Sequence, residues 1–179
     1  MSISKRLRSK IVLGNSSKPY ARRTFRGVTL ENRTISALKW AEERYLDGAP
    51  RKRQPWRLGQ GSFSQGSLSA GTHAGGGTFD VMFAGLNAKQ RKATVKWLKK
   101  AGFAVWAREG AVWGTNNDHA HAVLMGHRTL SKEAKEQADS YRAHRDGLAG
   151  NNYDPTWRPN PIPRWSHAKN RPIKKHKRW

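Results

Sequence analysis

The chain contains no cysteine. This absence excludes disulfide bonds, zinc fingers built on thiolates and enzymes that use a cysteine nucleophile. It leaves the redox compartment undetermined, because a protein without thiols is indifferent to whether its surroundings oxidise or reduce them.

Long hydrophobic runs are also missing. No stretch approaches the ~20 apolar residues that a membrane-spanning helix needs. The N-terminus lacks the apolar core of a secretion signal. We therefore expect a protein that is made in the cytoplasm and reaches any target outside the membrane by another route.

Negative charge is scarce. Asp and Glu number 12 against 35 Lys and Arg, which gives a net charge of +23. A charge of this size indicates a polyanionic partner, such as nucleic acid, an acidic cell-wall polymer or anionic lipid. It does not identify a reaction.

The shortage of apolar residues is confined to the two ends of the chain. Residues 1–27 form a basic arm without a single acidic residue, and residues 151–179 form a basic tail rich in proline. We expect the tail to be extended, because it cannot bury enough apolar surface to fold alone. Residues 28–150 have an ordinary apolar pattern and the length of one domain.

Three segments have the spacing of amphipathic helices: "TLENRTISALKWAEERYLDG", "LNAKQRKATVKWLKKAGF" and "LSKEAKEQADSYRAHRDGLAG". In the second, Asn87 and Gln90 predict a capping box and Gly102 a C-terminal stop. The third is capped by Ser131 and ends near Gly147 or Gly150.

Short strands are predicted in "RQPWRLGQGSFSQGS", "TFDVMF" and "HAHAVLM", with two more around a turn in "FAVWAREGAVWG". This order of helices and short strands predicts an α+β domain, in which a small antiparallel sheet is flanked by helices and basic extended segments stand at both ends.

Two of the predicted strands carry residues that bind metals. His119 and His121 lie two positions apart and therefore project from the same face of a strand, while Asp80 projects opposite its apolar neighbours. His73 precedes a run of three glycines, which would let the backbone turn sharply enough to bring this imidazole back to Asp80. One carboxylate oxygen and two imidazole nitrogens would form a zinc site with one open position.

Three segments, "SAGTHAGGGTFDV", "GLNAKQRKATVKWLKKAGFAVWAREG" and "HAHAV", together resemble the D-alanyl-D-alanine carboxypeptidase-like zinc peptidases, a group that also contains lysostaphin-type enzymes and the hedgehog signalling domain. The family pattern is His-x-x-Gly-x-Ala-x-Asp followed by a later His, often within His-x-His. His73, Gly76 and Asp80 match this pattern, while Thr78 replaces the alanine. The resemblance covers about residues 29–150 and is strongest to bacteriophage and actinobacterial members.

The resemblance implies a zinc ion held by His73, Asp80 and His121. It also implies hydrolysis of a peptide bond in the peptidoglycan stem, either as a D,D-carboxypeptidase or as an endolysin-type endopeptidase. Zinc in such a site activates water and polarises the scissile carbonyl.

Two positions depart from the family pattern. Gly71 stands where many members have serine, and Asp118 stands where many have the glutamate that serves as general base. Asp is one methylene shorter, and members with His-x-His use the first histidine near the reacting water, which points to His119. The base is therefore His119 or Asp118, unless both only support the metal ligands.

Family members also place a polar residue on the strand before the motif, where it helps to stabilise the oxyanion. Gln60 fits this place, and Arg57 is the second choice. Gln60 could instead be an ordinary surface residue of that strand.

The implied place of action is the bacterial cell wall, with the protein encoded by a phage for lysis or carried in a virion. The basic arm and tail would then bind anionic wall polymers or the membrane surface, unless the tail is merely solvated. Two alternatives remain: a nucleic-acid-binding protein, in which 35 Lys and Arg residues combine with tryptophans, and a virion structural protein that keeps the peptidase-like fold without activity.

Overall fold

The computed structural model describes residues 18–49, 53–64, 70–114 and 116–173. Within these ranges the chain forms three α-helices and small antiparallel sheets, so the predicted α+β class is confirmed. In chain order the elements are β1 (Arg22–Phe25), β2 (Val28–Glu31), α1 (Asn32–Asp47), β3 (Thr78–Met82), α2 (Ala88–Ala101), β4 (Phe103–Arg108), β5 (His119–Leu124), α3 (Lys132–Arg142), β6 (Arg164–Ser166) and β7 (Arg171–Ile173).

The largest sheet has three strands in the order β3–β5–β4, and both outer strands are antiparallel to β5. Its register pairs Asp80 and Trp106 with His121. Because side chains alternate between the faces of a sheet, these three residues project from one face and their apolar neighbours project from the other.

The two faces of this sheet are covered by different helices. Helices α1 and α2 pack on the apolar face, where Leu38, Leu98, Phe79, Phe103 and Ala122 are fully buried in one core. Helix α3 packs on the opposite face in a second, smaller core. The polar residues of the sheet therefore lie on the α3 side.

Local signals in the sequence fix helix α2. The Asn87 side chain accepts a hydrogen bond from the Gln90 backbone N–H at 3.0 Å, and the Gln90 side chain accepts one from the Asn87 backbone N–H at 2.8 Å. Gly102 ends the helix with a left-handed φ of 101°. Ser131 caps α3 as predicted, by accepting from the backbone N–H of Ala134.

Three predicted elements differ from the structure. Helix α3 ends at Arg142, before Gly147 and Gly150. Residues Ala111–Trp113 form a turn of 3₁₀-helix and not a strand, because glycines with positive φ flank them on both sides. The described residues before the Gly/Ser loop form no strand, although Leu58 makes an isolated bridge to β3 and Gly59 and Gln60 share backbone hydrogen bonds with Asp80.

The folded unit begins earlier than the predicted boundary at residue 28. Arg26 and Gly27, with φ of 52° and 82°, form a two-residue turn that joins β1 to β2. Two positive φ values in succession match the twist of a β-hairpin. Residues 22–25 therefore belong to the hairpin, and the part of the predicted arm at residues 1–17 lies outside the described residues.

The described part of the tail, residues 151–173, packs against the domain and includes the β6–β7 hairpin. Its Trp165 is 1% exposed and packs edge-on against Trp40 of α1 at 6.3 Å between ring centroids. The buried ammonium of Lys99 in α2 donates to the Trp157 carbonyl at 2.9 Å. These contacts join the described part of the tail to α1 and α2. Its last residues, 174–179, are not among those described.

No helix in the described ranges has the length and apolar character needed to cross a membrane.

Candidate metal centre

The site begins with two residues that face each other across β3 and β5. Asp80 and His121 are paired in register, and both are buried, with 8% and 5% of their surface exposed. The Nδ1 atom of His121 lies 2.9 Å from the Oδ1 atom of Asp80. The strand pairing alone therefore brings together residues that are 41 positions apart in sequence.

His73 joins this pair from the loop before β3. Its Nε2 atom lies 3.4 Å from the same Oδ1 atom of Asp80, and its imidazole is 2% exposed. Its Nδ1 atom lies 2.9 Å from the carbonyl oxygen of Gly61. The ligating atoms of His73, Asp80 and His121 all lie within 4.8 Å of one another, so this buried group could hold a metal ion.

The hydrogen-bond partners determine which imidazole nitrogens carry protons. A carbonyl oxygen only accepts, so the proton of a neutral His73 is on Nδ1, where Gly61 accepts it, and Nε2 is left with a lone pair. His121 Nε2 lies 2.8 Å from the Oε1 atom of Gln137, whose amide nitrogen donates to the Gly147 carbonyl. The His121 proton is therefore on Nε2, and its Nδ1 lone pair faces Asp80.

This arrangement points two nitrogen lone pairs at one carboxylate oxygen. Three electron-rich atoms at such distances repel one another unless positive charge lies among them, either as added protons or as a cation. Ligand atoms around a tetrahedral zinc ion are about 3.3 Å apart when the bonds are about 2 Å long. The observed separations of 2.9 and 3.4 Å are close to that value, so the residues fit a metal ion.

The electrostatics of Asp80 also favour an ionised ligand. Burial by itself raises the pKa of this carboxyl group. When the nitrogens of His121 and His73 that face Asp80 carry added protons, their hydrogen bonds outweigh burial and hold the pKa below its usual range. Asp80 is therefore available as a carboxylate at any pH near neutrality.

Gly75, Gly76 and Gly77, which we call the glycine run, both turn the chain and pack closely against another segment. Gly77 has a φ of 78°, a value that side chains disfavour, and a Cβ at Gly75 would overlap the backbone at Thr129 and Ser131. The run is therefore needed both for the bend that returns His73 to Asp80 and for close contact with the segment after β5.

A cleft of about 760 Å³ opens over the three ligands on the α3 side of the sheet. Besides the ligands, it is lined by His119 and Gln60, which the sequence singled out. The sequence reasoning did not identify other lining residues, among them Arg108, Trp113, Glu133, Glu136 and Gln137.

His119 faces this cleft with one free nitrogen. Its Nδ1 atom lies 2.6 Å from the carbonyl oxygen of Asn117, so in the neutral ring the proton is on Nδ1 and Nε2 has a lone pair. The Trp113 ring stands edge-on to the imidazole, 5.8 Å away between centroids. His119 is therefore positioned by its neighbours and able to accept a proton.

Asp118 is not among the residues that line the cleft. Its Oδ2 atom is 2.9 Å from the Arg91 guanidinium, and its Oδ1 atom accepts the Gly110 backbone N–H at 2.9 Å. The hydrogen bond from Gly110, followed by that from Arg91, lowers the pKa of Asp118. Both oxygens are thus used to hold the loop between β4 and β5.

Gln60 lies beside β3 at the edge of the sheet. Its carbonyl oxygen accepts the Asp80 backbone N–H at 2.9 Å, and its side-chain amide donates to the Ser64 hydroxyl at 3.0 Å. Arg57 bonds to β3 through its carbonyl oxygen but is exposed and does not line the cleft. The structure therefore brings Gln60, and not Arg57, to the cleft over the ligand candidates.

Gln137 is a further residue of the site. It lies on α3 and accepts the His121 Nε2 proton, which fixes the ring orientation of that ligand. The only signal in the sequence is its place next to the buried Ala138 on an amphipathic helix, and that signal does not distinguish it from a surface glutamine.

The three ligand candidates, His119 and Gln60 thus share one cleft, and the donor set supports a metal site without identifying the metal. Comparison of the chain with protein-family models, with curated proteins and with solved structures finds no significant match.

Proposed function

We propose that the protein is a zinc-dependent peptidase that hydrolyses a peptide bond in the peptidoglycan stem. The observation that carries the proposal is the convergence of His73 Nε2 and His121 Nδ1 on one oxygen of Asp80 at the floor of an open cleft. A set of two nitrogens and one oxygen is typical of catalytic zinc, which supplies a Lewis acid that polarises a carbonyl and activates water.

His119 is the proposed general base. Its Nε2 lone pair faces the cleft, whereas Asp118 uses both oxygens to bind Arg91 and Gly110. His119 would accept the proton of the attacking water and deliver it to the leaving amine.

Gln60 is proposed to bind the substrate carbonyl. Its side-chain amide has a second N–H besides the one given to Ser64, and it lies beside the strand that carries Asp80. An amide donor aimed at the developing oxyanion stabilises the transition state more than the substrate.

The proposed substrate class rests on the resemblance of the motif around His73 and Asp80 to peptidoglycan peptidases. We propose that the protein acts at the bacterial cell wall, either as a phage lysis enzyme or as a virion component, and cleaves as a D,D-carboxypeptidase or an endopeptidase. The open cleft has acidic Glu133 and Glu136 on its α3 side and basic Arg108 on the sheet, which suits a peptide with charges of both signs.

Metal analysis and peptidoglycan digestion test this function together. Purified protein should contain about one zinc per chain and release defined fragments from peptidoglycan, which mass spectrometry would identify. Asp80→Ala should abolish both properties. Asp139→Ala, which removes the same charge from an exposed position on α3, should change neither.

Three outcomes would contradict the proposal. Protein that binds zinc but leaves every peptidoglycan intact would favour the virion structural alternative. Zinc-free protein that binds DNA with a steep salt dependence would favour the nucleic-acid alternative. Hydrolysis that survives Asp80→Ala would place the reaction elsewhere.

A further inference from the structure

A second buried group of polar residues lies behind the metal centre. The Nε2 atom of His127 is 3.0 Å from the Glu31 carboxylate, and the Thr129 hydroxyl is 3.0 Å from that carboxylate and 3.1 Å from His127 Nδ1. Glu31 is 2% exposed and His127 is 3% exposed. We call Glu31, His127 and Thr129 the anchor cluster.

A contribution to the stability of the fold does not by itself explain why the anchor cluster is buried. Removing a carboxylate and an imidazole from water is unfavourable, and an apolar replacement of the same shape is often as stable. The cluster also joins distant parts of the chain, because Glu31 ends β2 and Thr129 lies 98 positions later. A buried polar group of this kind can specify one local geometry among several.

The geometry that the cluster specifies is that of the glycine run. A Cβ at Gly76 would overlap the Glu31 carboxylate and the Thr129 hydroxyl, and a Cβ at Gly77 would lie 2.9 Å from the His127 ring. The Gly76 backbone N–H also donates to the Thr129 carbonyl at 2.8 Å. The glycine backbone therefore rests directly on the anchor cluster.

The glycine run in turn connects two of the ligands. Gly76 follows His73 by three positions, and Gly77 precedes Asp80 by three. The Gly77 carbonyl accepts the backbone N–H of Leu124 in β5 at 2.8 Å, which ties the run to the strand that carries His121. A shift of the run would therefore change the distance between His73 and the other two ligands.

We propose that Glu31, His127 and Thr129 are positioning residues for the metal centre. They contact no metal ligand, and they act by holding the glycine run at the place where His73 Nε2 meets Asp80. This inference rests on the metal site of the proposed function, but not on the hydrolysis of any substrate.

Metal affinity is the measurement that tests the proposal. Glu31→Gln keeps the size of the side chain and removes its charge, and it should weaken Zn²⁺ binding about tenfold or more, the usual cost of disturbing residues that orient metal ligands. Binding would be measured by competition with a chromophoric chelator. The visible spectrum of bound Co²⁺ should also change, because the ligand geometry changes.

Glu42→Gln is the matched control. Glu42 is also buried, at 5% exposure, and also ion-paired, with Arg26 at 2.5 Å, but it lies on α1 on the far side of the sheet. The control should lose stability without losing metal affinity. Both variants would be compared at a temperature at which circular dichroism shows them to be folded.

Thr129→Val provides a second variant that is close in shape, in case Glu31→Gln does not fold. It removes the hydroxyl that bonds to Glu31 and should also weaken metal binding. In metal-free protein, the Gly76 amide should exchange its hydrogen faster in the Glu31 and Thr129 variants than in the Glu42 control.

The proposal is overturned if both anchor variants bind zinc as tightly as the wild type, or if Glu42→Gln weakens binding equally. Wild-type protein that binds no metal would overturn it as well. Wild-type protein that binds zinc but cleaves nothing would refute the proposed function and leave this inference standing.

Discussion

His119 and Asp118 are chain neighbours with different surroundings. The imidazole faces the cleft with a free nitrogen, while the carboxylate binds Arg91 and the Gly110 backbone. Since general-base catalysis contributes about 10²–10⁴-fold, His119→Ala should lower kcat at least 100-fold and leave zinc binding within a few-fold of wild type. Chelator competition and peptidoglycan turnover on the same samples would measure both.

Asp118→Asn is the companion variant. It should keep kcat within a few-fold of wild type, because Asp118 does not line the cleft. A large loss of kcat in Asp118→Asn, with His119→Ala still active, would reverse the assignment of the base.

Variants of Gln137 test how the orientation of the His121 ring affects zinc affinity. Gln137→Leu removes the acceptor for the His121 Nε2 proton, so the ring loses its fixed orientation and zinc affinity should fall about 10–100-fold. Gln137→Glu restores an acceptor and should retain most of the affinity. Equal affinity of the wild type and the Leu variant would show that the sheet alone orients His121.

The sequence predicts the position of a site residue where that position depends on nearby residues or on the alternation of side chains along a strand. His119 and His121 share a face because a strand alternates, and Asp80 opposes its apolar neighbours for the same reason. The contact of Gln137 with His121, by contrast, depends on where α3 packs on the sheet. The anchor cluster depends on contacts across 98 positions, and no local pattern encodes these.

The same distinction holds for whole elements. Helix α2 was predicted to the residue, because its capping box and its terminal glycine are local signals. The second of the two strands predicted in "FAVWAREGAVWG" is instead the 3₁₀ turn at Ala111–Trp113, where Val112 is 85% exposed. The composition of the tail alone does not predict the burial of Trp165, because this ring packs on Trp40 of α1, a surface from another part of the chain.

Lys99 joins α2 to the described tail, and this contact should depend on pH. Burial lowers the pKa of Lys99 to about 8, while the nearby Asp154 raises it. Between about pH 8 and its unfolded pKa near 10.4, the unfolded chain binds more protons than the folded one. The free energy of unfolding contributed by Lys99 therefore rises with pH across this window.

Lys99→Met removes the titrating group. The difference in the free energy of unfolding between wild type and this variant should shift in favour of wild type by roughly 1–2 kcal/mol from about pH 7.5 to about pH 9.5. Urea denaturation at both pH values measures this shift. A constant difference would mean that the hydrogen bonds to Thr156 and Trp157 keep the ammonium protonated throughout.

On the scale of the whole molecule, the acidic residues that could neutralise the positive charge are unevenly distributed among the elements. All 12 acidic residues of the chain lie within the described ranges, and none belongs to α2. Four lysines, at positions three or four apart, follow one side of this helix: Lys89, Lys92, Lys96 and Lys100. None of them forms a salt bridge with the described carboxylates. We call this row the lysine stripe.

The lysine stripe lies on the side of the sheet opposite the cleft, because α2 packs on the apolar face and α3 on the other. A polymer bound there would not block the ligands. The stripe spans about 16 Å and has no open aromatic surface for stacked bases, since Trp97 is half-buried, packs against Trp40 and is covered by Lys100. If the protein acts at the cell wall as proposed, we expect the stripe to bind a phosphate polymer of the wall and not single-stranded nucleic acid.

Charge-reversal variants can distinguish binding by the lysine stripe from binding that depends only on the net charge of the protein. The triple variant Lys89→Glu, Lys92→Glu and Lys96→Glu should bind walls that carry phosphate polymer at least tenfold more weakly, and its binding should depend less steeply on salt because fewer cations meet the polymer. A control variant makes the same change of charge on the exposed β6–β7 hairpin: Arg164→Glu, Lys169→Glu and Arg171→Glu. Sedimentation with intact walls, and with walls stripped of phosphate polymer, measures the wall binding of both variants.

Equal losses of binding in the two variants would mean that binding depends on net charge and that the lysine stripe is not the binding surface.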